Sequence, residues 1–560
     1  MTEVASALKK AIGKSFTVTV DMLETPPELN MGDLAFPVFE YAKGEKRNPV
    51  EIAAELAAKI GPGTLFEKVE ATGPYVNFYY QNNALAESVL KELSAAGAKY
   101  GNSILGKDTS VLVEYAQPNT HKEFHVGHVR NAVFGQSIVH VLKANGYKVT
   151  AASYIGDIGA HVAKALWGMK KFHEGEDFPK EHRAEKLGAV YTQATKFVAE
   201  HEEAKKEIAV VQQELEDRKE PWQSLWKETR IWSIDDFKKH FAQLRVTPDV
   251  WYFESDVEED GKKMVQKMLT DGIAKKSEGA VIVDLEDADL GACLILKSDG
   301  SSLYATKDIA LAYKKEKDYS PDRQVFVVDT RQSLYFKQLF EVLRRMGFKG
   351  SLSHLAYDMV TLPDGAMSSR QGNIVTFTQL RDDMIDRLEK ETRERHDDWS
   401  NKKVHQVASD IAIAAIQFMM LRQDPETIIT FDIEEAMSFD GFTAPYILYT
   451  IARIEGIKRQ SKTKSKIEAG KLSHNLEAAL LRKLAEYPLL VQRVGTTFHV
   501  SSVAVWAFET AKLFSEYYHQ VRILDGEEDS KAARLALCDG IQVSLRNALG
   551  LLGIKAVDEM

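Results

Sequence analysis

The chain has 560 residues, 44% apolar and 28% charged, with 72 basic and 82 acidic side chains and a net charge of −10. This is the make-up of a globular protein and excludes a disordered, collagenous or membrane-bundle chain; any polyanionic partner would have to meet a local basic face. Cys293 and Cys538 are too few for a disulfide framework or a four-cysteine zinc site, and no charged-then-apolar leader opens the chain, so a cytoplasmic protein is expected.

Residues 1–105 read as a small α/β domain. Asn48-Pro49 opens a helix in which Ile52, Ala53, Leu56 and Ile60 fall at helical spacing, and Gly61-Pro62-Gly63 closes it. Gly73-Pro74 precedes an aromatic strand over 75–80. Gly101, Gly106 and Lys107-Asp108 mark a linker.

Residues 106–390 alternate strand and helix. A buried strand over 110–115, a helix over 126–145 stopped by Gly146, and a strand over 148–154 make one βαβ unit with a right-handed crossover. A charged helical insertion carrying Trp222, Trp226 and Trp232 occupies about 172–248. The sheet is expected to resume with strands at 280–285, 292–296 and 324–328, the last followed by a helix up to Gly347. Residues 391–560 read as all helix, with apolar periodicity over 404–421, 445–457, 476–494, 504–524 and 532–552. The longest apolar stretch, 411–421, is interrupted by Gln417 and is too short for a bilayer, which takes about 20 residues. The expected fold class is α/β: a Rossmann-like doubly wound parallel sheet, with a small N-terminal α/β domain and a C-terminal all-α domain.

Neither a Walker phosphate loop nor a GxGxxG fingerprint occurs, so a nucleotide would be held another way. His125-Val126-Gly127-His128 stands between a strand and a helix, where free N–H groups and the helix dipole favour an anion. Two imidazoles there could donate to a phosphate that gains charge, and Gly127 would let a flat base approach the backbone. Alone, the motif reads first as two capping or surface histidines.

The context is more specific. The run from Val113 to His128, VEYAQPNTHKEFHVGH, resembles the opening of the catalytic domain of class I aminoacyl-tRNA synthetases, and of the arginyl-tRNA synthetases in particular. Residues 363–373, PDGAMSSRQGN, stand in the place of that family's KMSKS loop. Residues 431–453 are similar to the start of its anticodon-binding domain, and Gly32-Asp33 with the strand near Phe78 to its N-terminal extra domain. The resemblance covers nearly the whole chain in order.

It implies an arginine–tRNA ligase that activates L-arginine with ATP and passes it from arginyl-adenylate to the 3′ end of the arginine transfer RNA. Mg²⁺ would accompany the nucleotide, with no protein-bound zinc. A cytoplasmic monomer with no membrane partner is expected. Residues 1–105 would contact the RNA and residues 391–560 would bind the anticodon.

By the same resemblance His125, Gly127, His128, Met367, Ser368, Ser369 and Arg370 would hold ATP, with His125 and His128 catalytic. The loop departs from the family where its two lysines belong, which here read Ala366 and Ser369. Lys122 is the implied substitute, because arginyl enzymes lacking the loop lysine resemble this chain in carrying one there; Arg370, one place beyond Ser369, is the alternative. The arginine pocket would be Glu114, Asn119, Tyr304, Asp308 and Gln332. A planar, permanently charged guanidinium calls for carboxylates in fixed positions. Residues 154–161, with Gly156-Asp157, also fit the family and are given a supporting part. Lys458, Arg459, Lys462 and Lys464 would meet RNA within 453–471, a stretch with seven basic and two acidic residues.

Taken singly these residues have plainer readings: Lys122 a solvated loop lysine, Asp308 a helix-start acid, Tyr304 core, Glu114 an edge-strand charge, the basic stretch a solvated helix end. Two other functions stay open at this point. One is a class I ligase for another amino acid, although the cysteine enzyme's zinc-binding cysteines have no counterpart here. The other is a non-catalytic RNA-binding relative.

Overall fold

The computed structural model describes residues 2–14, 16–19, 22–24, 26, 31–363 and 375–560. The chain divides into two units. The first joins Met1–Leu105 to Phe439–Leu551 and Lys555–Met560; the second is Gly106–Ser438 with Leu552–Ile554.

The first unit begins with three antiparallel strands, β1 (Leu34–Pro37), β2 (Phe66–Thr72) and β3 (Tyr75–Tyr80), in the order β1-β3-β2. The helix Pro49–Ile60 packs on this sheet; Asn48 caps it by accepting the Val50 N–H at 2.9 Å. The helix Asn82–Ala96 turns Leu85, Ala86, Val89, Leu90 and Leu93 inward, against the C-terminal helices Asn475–Thr497 and Glu528–Leu551. That apolar face is why the two terminal portions, expected as separate domains, form one unit. Polar contacts lock it. The Tyr100 hydroxyl donates to the Leu484 carbonyl at 2.8 Å, and the Arg482 guanidinium pairs with the nearly buried Asp33 carboxylate. The Gly32-Asp33 pair read from the sequence therefore has a structural task.

The second unit is built on five parallel strands: β4 (Ser110–Tyr115), β5 (Lys148–Ile155), β6 (Val250–Phe253), β10 (Arg323–Asp329) and β11 (Ser351–Tyr357), in the order β11-β10-β4-β5-β6. The helix Val126–Ala144 carries the chain from β4 to β5; Tyr115 packs so closely on it that a Cβ at Gly135 would fall 2.3 Å from the tyrosine side chain.

Two expectations about this unit are corrected. The strands at 280–285 and 292–296 do not continue the main sheet. Together β7 (Lys275–Ser277), β8 (Ala280–Asp284) and β9 (Ala292–Leu296) form a separate antiparallel sheet, whose Val283, Leu285, Cys293 and Ile295 share a core with Phe326 and Val328 of β10 and with the helix Ser333–Arg345. The helix Asn401–Leu421, expected to open the C-terminal domain, belongs to the second unit and packs on Val126–Ala144. It is longer than the 411–421 stretch and apolar enough to cross a bilayer, yet 78% of its apolar window is buried inside the protein. Within it, Gln417 donates to the Leu244 carbonyl at 2.9 Å and the Gly553 carbonyl at 3.1 Å.

The insertion is helical as read, with Arg183–Glu200, Glu203–Glu216 and Trp222–Gln243. Trp167, Ala194, Ile208 and Val211 form part of its core with the helix Ala160–Phe172.

Candidate functional site

Neighbouring strands β4 and β10 send their helices in opposite directions, toward β5 and β11. That makes the carboxyl ends of these two strands the switch point where doubly wound sheets bind ligands. A cleft of about 380 Å³ lies there. Gln117, Asn119, His125, Gly127 and His128 line it after β4, Asp329, Arg331 and Gln332 at and after the end of β10, and Tyr357, Met359 and Val360 at and after β11. Asn131 ties the two halves: its amide donates to the Val327 carbonyl at 2.7 Å and accepts the Gln117 N–H at 3.3 Å.

His125 is the extended residue before the helix Val126–Ala144. Its Nδ1 accepts the Gly127 N–H at 3.1 Å, and the His128 Nδ1 accepts the His125 N–H at 3.2 Å. The two rings stack with centroids 3.8 Å apart. The capping and ligand readings are thus not rivals. With both Nδ1 atoms engaged as acceptors, each neutral ring carries its proton on Nε2 and can donate outward. Burial, helped by the nearby Lys122 charge, pushes His125 down to about 4. Burial and the charges around it hold His128 well below the usual histidine range. Both rings are therefore neutral donors at neutral pH. Gly127 has a local reason as well: a Cβ would lie 2.9 Å from the His125 ring.

Met367, Ser368, Ser369 and Arg370 lie outside the described residues. The chain on either side of them adjoins the cleft. Val360 lines it, and Thr376 forms an antiparallel bridge with His125 while the Phe377 N–H donates to the Phe124 carbonyl at 2.9 Å. Lys122 is partly buried, and among the described residues no carboxylate pairs with it. Its Nζ lies 5.1 Å from the Tyr191 ring centroid, and burial lowers its pKa.

The acidic residues form a second cluster beside the cleft. Glu114 is buried and both its oxygens have internal partners: Oε1 accepts from the Gln117 amide at 2.7 Å, and Oε2 pairs with the buried Lys315. Through Gln117 the cluster adjoins the cleft. Asp308 accepts the Tyr335 hydroxyl at 2.5 Å on Oδ2, and among the described residues its Oδ1 has no partner. Burial pushes its carboxyl up to about 6; the Tyr335 hydrogen bond opposes this and the Glu114 charge adds to it. Tyr304 begins the helix Tyr304–Tyr319, one turn before Asp308, and is 64% exposed rather than core. Asn119 packs its side chain on Gly156, where a Cβ would come within 2.2 Å of its Oδ1. Gln332 is exposed on the cleft rim.

The structure therefore joins His125, Gly127, His128, Asn119 and Gln332 in one cleft and Glu114 with Asp308 beside it. Sequence reading missed Tyr335, Lys315, Glu254 and Lys307. The last two form a buried ion pair near Asp308, in which burial raises Glu254 to about 7. Tyr335 lies three residues after Gln332, and Lys315 lies seven after Asp308 on the same helical face. Those spacings were the available signal.

Asp157 is fully buried. It accepts from Arg230 Nε at 2.6 Å, the Ser255 N–H at 2.9 Å and the Ser255 hydroxyl at 2.6 Å, which pins the insertion to the end of β5. His121, also fully buried, hydrogen-bonds Thr120 at 2.9 Å and Thr229 at 2.8 Å, and burial lowers it to about 3.

In the first unit the four expected RNA-facing cations separate into two pairs. Lys458 is paired with Asp539 at 2.9 Å, and Arg459 with Glu559. Lys462 and Lys464 are exposed, and among the described residues they have no acidic partner.

Three family models match this chain: the arginyl-tRNA synthetase N-terminal domain over residues 2–80, the class I (R) tRNA synthetase catalytic domain over 89–433, and the DALR anticodon-binding domain over 447–560. An arginine–tRNA ligase from Bdellovibrio bacteriovorus is 37% identical, covering 99% of this chain and 98% of that protein. One from Treponema denticola is 33% identical over 96% and 94%. In fold, the chain is similar to Thermus thermophilus arginyl-tRNA synthetase (TM-score 0.84, 23% identity, all of both chains). It is also similar to the Plasmodium falciparum enzyme (TM-score 0.79, 19% identity, 100% and 99%).

Proposed function

The chain belongs to the arginyl-tRNA synthetases of class I, and from that membership we propose how its residues divide the work of joining arginine to transfer RNA. The reaction is arginine–tRNA ligation: ATP and arginine give arginyl-adenylate and pyrophosphate, and the arginyl group then passes to the RNA. The observation that carries the division of labour is the histidine pair. Its two Nδ1 atoms are held by backbone N–H groups, so two neutral Nε2–H donors stand without a partner among the described residues, at a helix entrance on the switch-point cleft.

In this reading the α-phosphate lies at His125 and His128. The arginine carboxylate attacks the α-phosphorus in line, and the bond to the pyrophosphate oxygen breaks. The Nε2–H groups stabilise oxygens that gain charge, and being neutral they need no reorganisation as that charge appears. Lys122 supplies the cation that residues 363–373 lack at Ala366 and Ser369, and Met367, Ser368, Ser369 and Arg370 take part in ATP binding. Mg²⁺ comes with the triphosphate; among the described residues no group of three His, Cys, Asp or Glu side chains stands ready to hold an ion alone.

The guanidinium is read by Asp308, whose Oδ1 has no partner among the described residues, and by Tyr304 one turn before it on the same helix; Asn119 and Gln332 meet the substrate's amino and carboxylate end. Glu114, held by Lys315 and Gln117, braces this end of the arginine pocket from behind. The all-helical portion meets the anticodon side of the RNA, with Lys462 and Lys464 as phosphate contacts, and residues 1–105 touch the RNA as well. The enzyme works as a cytoplasmic monomer. Arginine-dependent ATP–pyrophosphate exchange, run with and without the cognate RNA, tests the reading; exchange driven by a different amino acid would overturn it.

A further inference from the structure

The charged insertion has no part in the reaction as described, yet its helix Arg183–Glu200 comes close to the entrance. On the helix Arg183–Glu200, Gly188 lies against Glu123: a Cβ there would fall 2.4 Å from the Glu123 Cγ and 3.1 Å from its backbone nitrogen. A residue without a side chain is what lets the helix come this near. One turn further on, Tyr191 presents its ring to Lys122, whose Nζ lies 5.1 Å from the centroid. Lys164, from the helix Ala160–Phe172, stands 5.4 Å from the same ring and 3.4 Å from the Thr195 hydroxyl.

No carboxylate holds Lys122 among the described residues, so the ring face is the group that fixes its ammonium. Its charge is felt at both His125 and His128, which sets it beside the pair. An aromatic face stabilises a partly desolvated cation without neutralising it, whereas a carboxylate would cancel the charge.

We propose that Tyr191 is the positioning residue for Lys122, its ring holding the ammonium at the helix entrance so that the cation reaches the nucleotide phosphates. The inference rests on the reading of Lys122 given above.

The test uses the full-length chain with cognate RNA in arginine-dependent ATP–pyrophosphate exchange. Tyr191→Leu lowers kcat about tenfold, or about 1.4 kcal/mol, with the arginine KM within about twofold of wild type. Tyr191→Phe, which keeps the ring face, restores the rate. In a Lys122→Met background Tyr191→Leu causes no further loss, as a residue acting through Lys122 requires. Tyr191→Met serves as the non-aromatic variant if Tyr191→Leu does not fold. Three results overturn the proposal: equal loss in Tyr191→Phe and Tyr191→Leu, undiminished loss in the Lys122→Met background, or a wild-type kcat in the non-aromatic variant. The underlying reading fails separately, and the proposal with it, if Lys122→Met alone keeps the wild-type rate.

Discussion

Replacing Asp308 by asparagine separates what the carboxylate does for the ligand from what it costs the fold. Its pKa rises from 3.8 to about 6, chiefly through burial and with the Glu114 charge beside it. At 1.36 kcal/mol per pKa unit, holding the charged form costs the ligand-free protein at most about 3 kcal/mol. The sign follows from the direction. A carboxyl raised in the folded state favours folding while protonated, below the unfolded value of about 3.8, and that advantage is lost as pH climbs through about 6. The asparagine side chain carries no charge and keeps an oxygen for the Tyr335 hydroxyl. The variant should therefore unfold a few degrees higher than wild type at pH 7.5, and the gap should close toward pH 4.5. Arginine should stabilise the wild type through binding and leave the variant unmoved, since removing one member of a buried pair costs about 3–5 kcal/mol. Thermal unfolding across that pH range, with and without arginine, reads both effects. An Asp308→Asn protein that is still shifted upward by arginine as strongly as wild type would refute the reasoning.

Three further outcomes are expected. Lys122→Ala lowers kcat for arginine activation by about 10²-fold, the usual loss when one preorganised donor to a developing charge is removed, with little change in Tm; rapid-quench and unfolding measurements separate the two. Lys462→Ala combined with Lys464→Ala weakens RNA binding and reduces the slope of log K against log salt by about 1.5, while Lys458→Ala, whose ammonium already pairs with Asp539, leaves the slope near wild type; filter binding across salt concentrations reads this. Arg482→Ala leaves Asp33 buried without its partner and costs roughly 3 kcal/mol in the first unit, and Asp33→Asn in the same background recovers part of the loss in calorimetry.

Local pattern revealed the elements whose burial is uniform. The buried runs of β4 and β10, the periodic helix after His125 and the aromatic strand β3 all stand where the sequence implies. It was silent on the edges. The strand β6 is four residues long, and β11, SLSHLAY, mixes polar and apolar residues on a half-buried edge. It also read β8 and β9 as strands without their partners, because sheet membership depends on contacts distant in sequence. The helix Asn401–Leu421 shows the same limit: its periodicity is plain, but which unit buries it is decided by Val126–Ala144, far upstream.

The site divides in the same way. The histidine pair and the Tyr304–Asp308 spacing were legible because each lies within one turn of helix. Tyr335 on Asp308, Lys315 on Glu114 and Lys307 on Glu254 were not, because each joins segments set together only by the fold. Among the described residues those partners leave Asp308, rather than Glu114, with a carboxylate oxygen unengaged.

The most direct measurement is a structure of the enzyme bound to a non-hydrolysable arginyl-adenylate analogue. The phosphate mimic should lie within hydrogen-bond reach of Nε2 on both His125 and His128, with the guanidinium on Asp308 Oδ1. A guanidinium bound away from Asp308, or a phosphate mimic out of reach of both imidazoles, would contradict the account.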